Sequence, residues 1–288
     1  MVDKALFQKY EVALLACTDL GRMQVEALVK SVEGLPPQQQ AARLMAEYPK
    51  ILANYGQAAA QATMQWYQDA RDAHFADDEE PEDYEAKAAA PIQRSWAYED
   101  VQKAATSGLG YLPGMAVNRV MHRADQTMAY NVQNDPAHPC WAIVPSFGAC
   151  GFCVMIGSNG FYMRREPVKV QRHDHCRCAV VADFATENPA LAGYDPDELR
   201  RQYAQGIEDA GGEEAIRARW DALTPEERAR YRRKGRSAYD TFKTRQIANA
   251  MDARMRRDEL DARAFELARA DVRSSFGVEG ARQLADAF

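Results

Sequence analysis

Apolar residues recur along the first third of the chain at three- and four-residue intervals, with charged positions between them. Leu6, Tyr10, Ala13, Leu14 and Cys17 share one such stripe and predict a helix over residues 3–31, with Cys17 as a small core side chain. The helical pattern resumes from Pro37 to Asp72, and Pro49 predicts a break within it. After Pro91 comes another helical region. Leu112 to Asn131 carries Pro113 near its start and Val117, Val120, Met121 and Met128 on one buried face. His122 in this helix has no second ligand at helical spacing, so it reads as a partly buried or surface histidine.

The period changes near Pro136. WAIVP, FCVMI, GFYM, VKV and CAVVADF are short runs rich in β-branched and aromatic residues, separated by SFG, GSNG and REP. The turn Ser158-Asn159-Gly160 between two apolar runs predicts a hairpin. Helices return from Pro196. Thr224-Pro225-Glu226-Glu227 has a capping threonine, a proline suited to the first helical position and a glutamate at the capping-box position. One or two long helices follow, with Gly277 as a stop. No internal repeat of constant period is present. The expected fold is mainly α with a small central β element (α+β), a zinc-knuckle-like β-hairpin flanked by long helices. The expected organisation is an N-terminal helical region (1–75), an acidic linker (76–94), a core with the cysteine–histidine cluster (95–188) and a C-terminal helical region (189–288).

Charge changes the picture only locally. The net charge is -6 over 288 residues, which gives no global attraction to nucleic acid or to an anionic membrane. DDEEPEDYE, residues 77–85, places seven acids in nine residues around a proline. It reads as a solvated linker, or as an acidic arm for a basic partner. EERARYRRKGR, residues 226–236, reads as a solvated helix face. The alternative is a patch for nucleic acid or an acidic partner, carried by Arg228, Arg232, Arg233 and Lys234. The first residues lack an uninterrupted apolar core, and no apolar run reaches the roughly 20 residues that span a bilayer. No membrane partner is therefore expected, and the thiols are expected to stay reduced in a cytosol.

Residues 150–178 gather four of the six cysteines and two of the five histidines. Cys150-Gly-Phe-Cys153 is a CxxC pair whose glycine lets both sulfurs turn toward one centre. His173-Asp-His175-Cys176-Arg-Cys178 returns two more thiols beside two imidazoles. In an extended strand residues 176 and 178 face one side and Arg177 the other. Zinc takes four such ligands in a tetrahedron. Cys150 and Cys153 form the first pair. The second is Cys176 with Cys178, or His173 with one of those cysteines, and His175 is the weakest candidate. A thiolate-rich, closable set points to a structural Zn2+ that holds a small β element together. A redox or disulfide role is the competing reading. Cys140 fits no usual ligand spacing and reads as a core thiol.

Catalytic patterns are thin. The sequence has no GxSxG, HExxH, Walker or GxGxxG motif, and no serine in a nucleophile setting. Asp174 between two histidines could suggest a nuclease, but nuclease metals take carboxylate and water oxygens rather than thiols. No enzymatic activity is expected.

WAIVPSFGACGFCVMIGSNGFY followed by HDHCRC resembles the signature zone of the Mu F-like minor head proteins of tailed bacteriophages, in the form found in actinobacteriophages. The matching positions are Trp141-Ala142, Cys150 to Met155, Gly160 to Tyr162, and His173 to Cys178 ahead of Ala179-Val180-Val181. Arg119, Val120, Arg123 and Thr127 upstream look like the family's lead-in. The resemblance covers residues 95–185. It departs in the last strand, AVVADF, which lacks the proline that relatives often carry. It implies a non-enzymatic head-morphogenesis component that associates with the portal or the major capsid protein. Such a protein is made in the host cytoplasm and sits inside the virion head, as a possible homo-oligomer in reach of packaged DNA. The competing readings are a DNA-binding packaging protein and a head maturation protease.

Overall fold

A computed structural model describes residues 3–76, 83–90, 94–146, 149–162, 167–168, 170, 172, 176–185, 187–232 and 237–257. The elements in chain order are α1 (Lys4–Val32), α2 (Pro37–Phe75), α3 (Arg94–Ser107), α4 (Tyr111–Asn134), β1 (Cys140–Val144), α5 (Gly151–Gly157) and β2 (Ala179–Asp183). They continue with α6 (Pro196–Asp209), α7 (Gly212–Asp221), α8 (Pro225–Ala229) and α9 (Ala238–Arg257). The protein is mainly helical with a small antiparallel sheet, as the hydrophobic pattern predicts. The chain divides into two compact units, and the described residues of the first fall within 3–144 and 161–194, those of the second within 145–160 and 195–257.

In the first unit, α1, α2 and α4 pack on one another, with α3 against α2 and α4. Val25, Leu28, Val32, Leu44, Tyr48, Leu52, Val101 and Leu112 interlock at one end of this bundle. Helix α2 runs unbroken through Pro49, contrary to the predicted break. An interior proline removes one helical hydrogen bond and costs about 3 kcal/mol. Here Tyr48 and Leu52 are both fully buried beside it, and that burial outweighs the local cost.

Helix α4 is buried along most of its length, including Arg123, Asp125, Thr127 and Asn131. Its polar groups are matched one by one. Arg119 pairs with Asp100 of α3 at 2.7 Å, and the Tyr48 hydroxyl donates to the same carboxylate. Residues 83–90 lie along α2 and α4 and are held through their main chain. Asn131 Oδ1 accepts from Lys87 N and from the Tyr84 hydroxyl, both at 2.9 Å. Asn131 Nδ2 returns a bond to Lys87 O, Gln68 accepts from Ala86 N, and Thr127 accepts from Ala89 N. Arg123 Nη2 donates to Ala89 O at 2.7 Å. Residues 77–82 of the acidic stretch lie outside the described residues.

At the C-terminal end of α4, Asp135 accepts from Tyr67 and from Arg71 Nε, both at 3.0 Å, and from Ala137 N. Both charged side chains are buried. The turn they stabilise leads into β1. Strands β1 and β2 pair antiparallel with Ala142 opposite Val181, and all ten residues are buried. Tyr162 extends the pairing through a bond from its N to Trp141 O at 2.7 Å, and the two rings stack with centroids 4.1 Å apart.

The sheet is therefore not the hairpin expected around Ser158-Asn159-Gly160. FCVMI, predicted as a strand, is helix α5, and the partner of β1 comes from the CAVVADF run. The second unit explains the difference. There α5 packs on α6 and α9, and Val154 joins an apolar cluster with Ile216, Trp220, Phe242, Ile247 and Met251. Gly151 meets α9 so closely that a Cβ would stand 2.7 Å from Ala248 O. Gly151 N also donates to Asp252 at 2.6 Å. These contacts favour a helix over the strand that β-propensity alone suggests. Thr224 and Glu227 form the predicted capping box of α8. Gly277 and the helical pattern beyond residue 257 lie outside the described residues.

Because Asp135 pairs with Arg71 where both side chains are buried, Asp135→Asn should lower the unfolding free energy by about 3–5 kcal/mol. Chemical denaturation checks this, and a loss below about 1 kcal/mol contradicts the role given to the pair.

Candidate metal centre

Helix α5 determines the first thiol pair. Cys150 is its N-cap residue and Cys153 follows one turn later, so both point along one helix face. Their sulfurs are 3.7 Å apart. In a tetrahedral zinc centre with Zn–S near 2.3 Å, neighbouring sulfurs stand about 3.8 Å apart, so this spacing suits two ligands of one ion.

The second pair precedes β2. Residues 176–178 continue the alternation of the strand, and Cys176 and Cys178 are both buried. Arg177 turns the other way and pairs with Asp19 of α1 at 2.6 Å. The predicted strand geometry thus holds at these three positions. The sulfurs of Cys176 and Cys178 lie within 4.8 Å of each other, and the two can serve as ligands of a metal ion. All six cysteines are thiols. His173, together with Asp174 and His175, lies outside the described residues.

The other cysteines have different settings. Cys140 is buried in β1. Cys17 sits on α1, where burial pushes its thiol up to about 12 and makes it a poor nucleophile at neutral pH. His122 packs against Trp96 with centroids 5.2 Å apart, and burial lowers its pKa from the usual value.

One residue beside the thiols carried no signal in the sequence. Arg172 precedes Cys176 by four positions, and its guanidinium is buried against Asp125 of α4. Burial works against its charge, but Asp125 overrides that and holds the guanidinium above its ordinary pKa. The partners are 47 positions apart, so no local spacing could announce them.

The basic stretch is less open than its sequence suggests. Helix α8 ends at Ala229, so Arg230, Tyr231 and Arg232 lie beyond it. Arg228 lies over the Trp220 ring and donates to the carbonyls of Trp220 and Asp221, which closes the end of α7. Arg232 is exposed, while Arg233 and Lys234 lie outside the described residues. No described helix is long and apolar enough to cross a membrane.

A family model described as VG15 protein matches residues 1–206. The chain belongs to the VG15 protein family. That family is phage-derived, and all six cysteines fall within the matched residues. No curated protein and no solved structure matches the chain significantly.

Purified protein should carry about one metal ion per chain, lost in Cys153→Ser and retained in Cys17→Ser and Cys140→Ser. Elemental analysis checks this. Undiminished metal in Cys153→Ser contradicts a ligand role for that thiol.

Proposed function

We propose that this protein is a minor capsid, head-morphogenesis component of a tailed phage, without enzymatic activity. It associates with the portal or the major capsid protein on the capsid interior, and a structural zinc braces its central region. The observation that carries this reading is membership of a phage-derived family over residues 1–206. The resemblance of the segment 141–181 to Mu F-like minor head proteins narrows it to the head.

Cys150, Cys153, Cys176 and Cys178 are the proposed zinc ligands. The 3.7 Å separation of Cys150 and Cys153 and the closeness of the Cys176 and Cys178 sulfurs to each other support the assignment. Bound zinc supplies cross-linking rather than catalysis here. A thiolate set fills its coordination, which is the pattern of closed structural sites. A small sheet of two five-residue strands gains from such a brace, because a two-stranded sheet has little stability of its own.

Inactivating the gene in its phage and imaging the lysate by electron microscopy tests the role. Absent or aberrant heads beside intact tails are expected. Normal infectious particles made without the protein contradict it.

A further inference from the structure

The surroundings of Arg172 are unusual for an arginine. The side chain is only 3% exposed. Its Nε and Nη2 bond the two carboxylate oxygens of Asp125, both at 2.5 Å. That bidentate pair anchors the guanidinium on α4. The remaining donors turn toward the thiol segment. Nη2 reaches Cys178 O at 2.8 Å, and Nη1 stands 3.4 Å from Cys176 Sγ.

A buried ion pair is a weak source of stability, since apolar residues of similar volume often do as well. What distinguishes this pair is the direction of its donors. One planar fork holds a helix carboxylate on one side and both a sulfur and a carbonyl of the Cys176–Cys178 segment on the other. A point charge cannot reproduce that fork. We infer that Arg172 is a positioning residue of the metal centre. Anchored on Asp125, it holds Cys176 and Cys178 in ligand geometry before the metal binds and donates to the Cys176 sulfur afterwards.

The inference rests on the zinc reading above and adds a named residue to it. Its physical basis is the charge of a thiolate site. Zinc with four thiolates carries a formal charge of about −2. N–H donors aimed at sulfur offset that charge, and loss of such outer partners typically weakens metal binding about 10–100-fold.

The test uses the full chain and three variants: R172K, R172M and the double variant R172M/D125L. The double variant removes the donors without leaving Asp125 buried and unpaired, so it keeps the measurement available if R172M fails to fold. Zinc affinity is read by competition with a chromophoric chelator. The absorption of the cobalt-substituted protein gives a second readout that a merely structural role would not move. Zinc affinity about 10–100-fold weaker in R172K and in R172M/D125L, with shifted cobalt–thiolate bands, is the expected result. Zinc binding within about twofold of the parent and unchanged cobalt bands in the folded variants overturn the inference alone, well short of the loss such partners cause. A parent that binds no zinc overturns the zinc reading, and this inference with it.

Discussion

Helix α4 imposes the constraint on which its unit depends. Fifteen of its 24 residues are buried, and these include an arginine, an aspartate, a threonine and an asparagine. Each such group costs stability unless a partner is found inside the protein. The partners come from almost every neighbouring segment. Asn131, Thr127 and Arg123 bind the main chain of residues 83–90, Asp125 takes Arg172, and Arg119 just outside the buried set takes Asp100. A helix with these polar positions fits only one arrangement of its surroundings. Apolar packing contributes most of the burial, and the polar matches select among packings of similar quality.

The same logic links the fold to the thiols. Asp125 lies in the body of α4, yet through Arg172 it acts on the chain just before β2. The cysteines that follow are held by main-chain pairing on one side, where Ala179 begins the strand, and by a buried guanidinium on the other. A segment held on both sides in this way would lose less entropy on binding an ion than a free one. Near the other pair, α5 is ordered by Gly151 against α9 and by Val154 in its apolar cluster. The thiols thus sit on elements whose conformations are determined by packing.

Much of this was legible in the residues, and the failures have identifiable causes. The long helices announced themselves because their apolar stripes repeat over many turns, and the capping box of α8 was readable in four letters. The break at Pro49 was misread because a local cost was weighed without the burial of Tyr48 and Leu52 around it. FCVMI was misread as a strand for a related reason. A five-residue apolar run has no period of its own, and contacts with a helix about a hundred positions away decide its state. Cys150, Cys153, Cys176 and Cys178 were visible as candidates because thiols are scarce and their spacing is restrictive. Arg172 and Asp125 were invisible, since a pair joined across 47 positions leaves no trace in local spacing.

The central claim is that four thiols hold one zinc ion. X-ray absorption at the zinc edge, on protein purified without added metal, tests it directly. The account predicts a first shell of about four sulfur atoms near 2.3 Å. A shell with nitrogen or oxygen near 2.0–2.1 Å, or protein that carries no zinc, contradicts it.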